Sequence, residues 1–219
     1  MRFLCLFGVV MVGCVRDEPA PRAEAPHRVE APRDSRPVIV AFGDSLTEGL
    51  GVAEGQKYPD HLQRALDQAG YRYRVLNAGV SGDTSNNALE RVQSVLRQSP
   101  KIVILEIGGN DGMRGLPVEG TRRNLEEMIT ALQSAGIKVA LWGMTLPRSY
   151  GPDYIRSFEK MYAEVAKSHG LRMIPLRDEL GKFAGNETLL QRDGIHPTGE
   201  GYRTLVPLIL KSLEPELQR

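Results

Sequence analysis

A chain of 219 residues, 41% hydrophobic and 25% charged, suits one domain plus a short appendage. Its 28 basic and 27 acidic residues leave a net charge of +1, which excludes the large field that would hold nucleic acid or an acidic membrane surface. Both cysteines, Cys5 and Cys14, precede the globular pattern, so a thiol nucleophile, a thiolate zinc site and an internal disulfide are excluded from the folded part.

The chain opens as a targeting segment. Arg2 supplies a positive start, and Phe3 to Val12 is an apolar run of signal-peptide length, too short to span a bilayer. It ends at Met11-Val12-Gly13-Cys14, which resembles a bacterial lipobox, with methionine in place of the usual leucine. That resemblance implies a lipoprotein-type signal over residues 1–14, lipidation at Cys14, a membrane anchor, and residence in the bacterial cell envelope or periplasm. From Val15 to Arg36, Pro19, Pro21, Pro26 and Pro32 alternate with alanines and balanced charges, with almost no large apolar side chains. Such a segment cannot bury enough surface to offset its ordering entropy, and it reads as a disordered tether.

The domain begins at Pro37 and runs to Arg219. Short continuous apolar runs predict strands buried on both faces at Val38 to Phe42, Tyr73 to Asn77, Ile102 to Ile107, Ile137 to Gly143 and Leu171 to Pro175. Helical stripes lie between them. Leu62, Ala65, Leu66 and Ala69 form the first, ending at Gly70, and Ala88, Leu89, Val92, Val95 and Leu96 form the second. Leu125, Met128, Ile129 and Leu132 form a third, and Tyr154, Phe158, Met161, Tyr162 and Val165 a fourth. A last helix after Pro197 carries Tyr202, Leu205 and Ile209, with Pro207 expected to kink it. Strands alternating with helices imply right-handed crossovers and a three-layer α/β/α sandwich around a central five-stranded parallel sheet. In such folds reactive groups lie beyond the carboxyl ends of the strands.

Four polar loops fall at that edge: Gly43-Asp44-Ser45-Leu46, Ser81-Gly82-Asp83, Gly108-Gly109-Asn110-Asp111, and Asp193-Gly194-Ile195-His196 before the last helix. A serine hydroxyl becomes a nucleophile when an imidazole takes its proton, and the imidazole needs a third group to fix its tautomer. Of four histidines, His27 lies in the tether, His61 is next to Asp60 in a helix, and His169 is at a helix end. His196 alone has an acid three residues upstream in a loop, where Asp193 either orients it or joins it in capping the last helix. Ser45 and Ser81 both follow strand ends, and neither lies in a Gly-x-Ser-x-Gly elbow, which disfavours the usual α/β-hydrolase. Gly82 offers an unobstructed backbone N–H and Asn110 a side-chain NH2 for a developing oxyanion, although each residue type is also ordinary turn chemistry.

Together the four segments resemble the SGNH, or GDSL, hydrolases, over about Pro37 to Leu213. Gly43-Asp44-Ser45-Leu46, Gly82, Gly108-Gly109-Asn110-Asp111 and Asp193-Gly194-Ile195-His196 are similar to its four blocks, in order. The resemblance implies a flavodoxin-like sandwich with Ser45 as nucleophile, His196 as base and Asp193 as its partner. It further implies an oxyanion hole from the Ser45 and Gly82 N–H groups and the Asn110 amide. Ser81-Gly82-Asp83-Thr84-Ser85, Gly108 to Gly115 and Leu146 to Gly151 resemble the bacterial multifunctional thioesterase, arylesterase and lysophospholipase subgroup, which implies small acyl ester or thioester substrates.

That chemistry requires no cofactor or metal. Leu146 and Tyr150 are candidates for part of an acyl-binding wall, against a plain surface connection. Two other classes remain at this point. Asp44, Asn110, Asp111, Asp193 and His196 are possible ligands for a metal-dependent phosphoesterase, and the pocket could belong to a non-catalytic envelope lipoprotein that binds an acyl or glycan group.

Overall fold

The computed structural model describes residues 34–219. The expected signal segment, Cys14 and the tether up to residue 33 lie outside the described residues. Arg36, the last residue assigned to the tether, donates to the Tyr73 carbonyl at 3.3 Å.

The strands are β1 (Val38–Gly43), β2 (Arg74–Gly79), β3 (Ile102–Glu106), β4 (Lys138–Trp142) and β5 (Arg172–Ile174). All neighbours pair in parallel in the order β2-β1-β3-β4-β5. Burial agrees with this order: Ile39 to Phe42 and Val103 to Leu105 are fully buried, as central strands covered on both faces require. β2 is an edge strand, half-buried, and it begins one residue later than expected and runs on to Gly79.

The helices are α1 (Ser45–Glu48), α2 (Tyr58–Gln68), α3 (Ser85–Leu96), α4 (Gly109–Met113), α5 (Val118–Ser134), α6 (Pro152–Ser168), α7 (Leu176–Lys182) and α8 (Gly199–Leu213). α2 packs against α8, and α3 and α6 pack against α5, so the helices form two layers about the sheet. The five apolar stripes became α2, α3, α5, α6 and α8, with their stripe residues Leu62, Leu66, Val92, Leu125, Phe158 and Ile209 buried. Gly70 and Gly136 follow α2 and α5 in left-handed conformation (φ +80° and +74°), which ends those helices as a glycine readily does. Pro207 lies inside α8, which continues through it to Leu213. α1, α4 and α7 are too short to show an amphipathic stripe, and none was expected.

The chain winds from β1 outward to β2, then returns past β1 to β3 and on to β5. The direction of winding thus reverses beside β1, the position at which open α/β sheets place their sites, beyond the carboxyl ends of the strands. Among the described residues no helix is long and apolar enough to cross a membrane.

Candidate active site

β1 delivers the chain to Gly43, where the space for a side chain is already filled: a Cβ there would lie 2.1 Å from Thr47 Oγ1 and 2.4 Å from Glu106 Oε2. The backbone then turns at Asp44, whose carboxylate caps α1 by accepting the Leu46 N–H at 3.1 Å. Ser45 is the first helical residue, so its own N–H has no helical partner. Its side chain is turned toward the base: Ser45 Oγ lies 2.8 Å from His196 Nε2.

His196 Nδ1 lies 2.6 Å from Asp193 Oδ2. The other oxygen, Oδ1, accepts the backbone N–H groups of Ile195 (2.9 Å) and His196 (3.0 Å), and Gly194 supplies the left-handed φ of +71° that closes the turn. Burial alone would raise the Asp193 carboxyl, but these two N–H bonds and the His196 ring outweigh it and hold Asp193 below the usual carboxylate range. Asp193 therefore stays ionised beside Nδ1, which places the ring proton there and leaves Nε2 free to accept from serine. Ser45 and His196 are each only 9% exposed.

Asn110, near the start of α4, directs its amide toward the turn at Asp44. Its Nδ2 donates to the Asp83 carbonyl at 2.9 Å and to Asp44 Oδ2 at 3.1 Å, bridging the loops after β2 and β1. Gly82 takes φ +84° and has Arg114 Nη2 donating to its carbonyl at 2.9 Å. Among the described residues, neither the Gly82 N–H nor the Ser45 N–H is engaged by a protein acceptor.

The rival residues have other partners. Ser81 donates through both Oγ and N–H to Glu48 Oε2 and contacts no histidine. His61 Nδ1 meets Arg64 at 2.8 Å, and His169 meets Gln133. Asp111 is buried and consumed by structure, since its carboxylate accepts Ser85 N (2.7 Å), Ser85 Oγ (2.5 Å) and Thr121 Oγ1 (3.2 Å). Among the described residues no three His, Cys, Asp or Glu side chains converge as a group that could hold a metal ion. Leu146 is buried against Gly112, and the half-buried Tyr150 donates its hydroxyl to the Met113 carbonyl at 2.7 Å; both thereby brace α4, which carries Asn110.

Two contributors carried no sequence signal. Gln191 Nε2 donates to the carbonyls of Leu50 (2.8 Å) and Pro197 (2.9 Å), tying the exit of α1 to the loop of His196. Gly51, at φ +79°, leaves room for it, because a Cβ there would lie 2.2 Å from Gln191 Oε1. The second is Glu106, at the end of β3, fully buried beneath the Ser45 turn.

The model of the GDSL-like Lipase/Acylhydrolase family matches residues 41–204. The chain is 37% identical over 180 residues to Esterase TesA of Pseudomonas aeruginosa, covering 82% of this chain and 89% of that one. It is 30% identical over 178 residues to Thioesterase 1/protease 1/lysophospholipase L1 of Escherichia coli K12, covering 81% and 83%. A crystal structure of TesA superposes with a TM-score of 0.77 at 36% identity, over 82% of this chain and 99% of that one. The chain belongs to the GDSL-like lipase/acylhydrolase family and is a hydrolase of carboxylic esters or thioesters.

Proposed function

We propose that hydrolysis runs through an acyl-enzyme on Ser45, with His196 as general base and acid and Asp193 as its orienting partner. The observation that carries this reading is the continuous relay from Ser45 Oγ to His196 Nε2 at 2.8 Å and from Nδ1 to Asp193 Oδ2 at 2.6 Å. His196 takes the serine proton as Oγ attacks the acyl carbonyl, and returns it to the departing alcohol or thiol. A water that His196 activates then cleaves the acyl-enzyme. The Ser45 N–H, Gly82 N–H and Asn110 Nδ2 stabilise the oxyanion in both steps, Asn110 turning one hydrogen from Asp44 toward it. Leu146 and Tyr150 shape the acyl side of the site through α4.

The substrates are small acyl esters or thioesters, in keeping with the names of the relatives. The chain divides into a lipoprotein-type signal (residues 1–14), a tether (15–36) and the hydrolase domain (37–219), with the enzyme held at the envelope membrane, facing the periplasm, by lipid on Cys14. Metabolic labelling with a fatty acid, lost in Cys14→Ser, tests the anchor. Fluorophosphonate labelling with peptide mapping tests the chemistry: a single adduct on Ser45, and none in Ser45→Ala, is expected. An adduct on Ser81, or full turnover by Ser45→Ala, would overturn the assignment.

A further inference from the structure

Glu106 ends β3 with no solvent exposure, directly below the nucleophile turn. Its Oε2 accepts two donors, the Asp44 N–H at 3.2 Å and the Thr47 hydroxyl at 2.7 Å. Because Thr47 gives its hydrogen to Glu106, the Tyr58 hydroxyl, 3.3 Å away, is the donor to Thr47 Oγ1, and the chain runs Tyr58 to Thr47 to Glu106. The same carboxyl oxygen occupies the space that a side chain at residue 43 would need.

These contacts act on an element that cannot order itself. α1 has four residues, well below the length at which a helix is stable alone. Its position is set from outside, by Glu106 on Thr47 and the Asp44 N–H, and by Asn77 Nδ2 on the Thr47 carbonyl at 2.9 Å. Ser45 lies between the two groups that Glu106 holds.

We propose that Glu106 is a positioning residue for acyl transfer: its buried carboxyl, through the Asp44 N–H and the Thr47 hydroxyl, fixes the turn that aims Ser45 Oγ at His196 and the Ser45 N–H at the oxyanion. The proposal rests on the reading of Ser45 as the nucleophile. The acid form follows from the surroundings. Asp44 is buried as well, only 2% exposed, and two carboxylates in one dry pocket do not both ionise. Burial and the facing Asp44 carboxylate keep the Glu106 proton on well above the ordinary range. Neutral Glu106 leaves the charge to Asp44, which uses it to accept the Leu46 and Asn110 hydrogens.

The test compares Glu106→Gln, Glu106→Leu and Thr47→Val with the parent enzyme for thermal unfolding, kcat and KM on p-nitrophenyl butyrate, and the rate of fluorophosphonate labelling. Gln keeps the accepting carbonyl and neutrality, whereas Leu keeps only the bulk. Folded Glu106→Leu is expected to lose about 100-fold in kcat and in labelling rate with KM within about 3-fold, and Glu106→Gln to regain kcat to within about 5-fold of the parent. Wild-type labelling and kcat in Glu106→Leu, or a folded Glu106→Gln as impaired as Leu, would overturn the proposal while an inert Ser45→Ala left the nucleophile assignment intact. Turnover by Ser45→Ala would overturn both. Should Glu106→Leu fail to fold, Thr47→Val decides: a loss of about 10-fold in kcat at unchanged KM supports the role, and parental kinetics refute it.

Discussion

One carboxylate, Asp193, grips His196 twice: Oδ2 meets the ring Nδ1 at 2.6 Å while Oδ1 accepts the residue's backbone N–H at 3.0 Å. The ring and the main chain that carries it are thus oriented by the same side chain. Asp193→Asn separates the two functions, because its carbonyl still accepts the backbone hydrogens but its NH2 cannot accept from Nδ1. The ring then flips its tautomer, and kcat is expected to fall by about 10² to 10⁴-fold with little loss of stability. The lowered Asp193 carboxyl works in the same direction: its contribution is complete above its ordinary value of 3.8 and is lost only as pH falls below that through the folded value. Steady-state kinetics alongside thermal denaturation check this, and an active Asp193→Asn would reject the role.

Asn110 is held at both hydrogens of its amide, at 2.9 Å and 3.1 Å, before any substrate arrives. The Asp83 contact keeps the amide at the site while the hydrogen on Asp44 passes to the oxyanion in the proposed mechanism, so the donor is drawn from a fixed group and not from solvent. Asn110→Ala is therefore expected to lower kcat by about 10² to 10³-fold, or about 3 to 4 kcal/mol, with KM changed little. Gly82→Ala is expected to combine a similar kinetic defect with about 1 to 2 kcal/mol of strain, because its φ of +84° is left-handed. A defect confined to KM in Asn110→Ala would place that amide in ground-state binding instead.

Burial pushes the Asp44 carboxyl up from 3.8 to about 6, against the lowering effects of the Leu46 N–H and the His196 ring. The folded protein thus binds this proton more tightly than the unfolded chain. Stability from Asp44 is greatest at acid pH and is lost as pH rises from about 4 to about 6, by up to about 3 kcal/mol. Asp44→Asn lacks the Asp44 contribution, while the raised Glu106 carboxyl adds a loss of the same sign in both proteins. The melting temperature of the parent is expected to drop relative to Asp44→Asn by about 6 to 12 °C between pH 4 and pH 7. A constant difference between the two proteins across that range would contradict the shift.

The residues legible in the sequence are those whose work is local. Asp193 and His196 stand three apart in one turn, and Ser45, Gly82 and Asn110 each follow an apolar strand. Ile102 to Ile107 announced β3 by near-continuous hydrophobicity, and Glu106 inside that run carried no signal of its own. Its partners Asp44 and Thr47 are about 60 positions away, and only the pairing of β1 with β3 brings them together. Gln191 is hidden for the same reason, joining Leu50 to its own loop across 141 positions. α1 and α4 escaped notice because four and five residues complete no stripe, and they hold Ser45 and Asn110. β2 was read one residue early because Tyr73 is apolar and buried, yet its carbonyl is taken by Arg36 and Gln63 rather than by the sheet.

Leu146 and Tyr150 meet the site through α4, and this shapes what their variants should do. Leu146 is buried at 5% exposure against Gly112, so Leu146→Ala leaves a cavity next to the helix of Asn110 and is expected to cost about 2 to 5 kcal/mol. The same space admits more acyl chain, and kcat/KM along a series of p-nitrophenyl esters from acetate to laurate is expected to shift toward longer chains. Tyr150→Phe removes one hydrogen bond to the Met113 carbonyl, with an expected loss of about 1 kcal/mol and a smaller shift in the profile. The two effects separate packing from specificity: lower stability with an unchanged chain-length profile in both variants would make these residues supports of α4 alone, and the acyl wall would have to be sought elsewhere around Ser45.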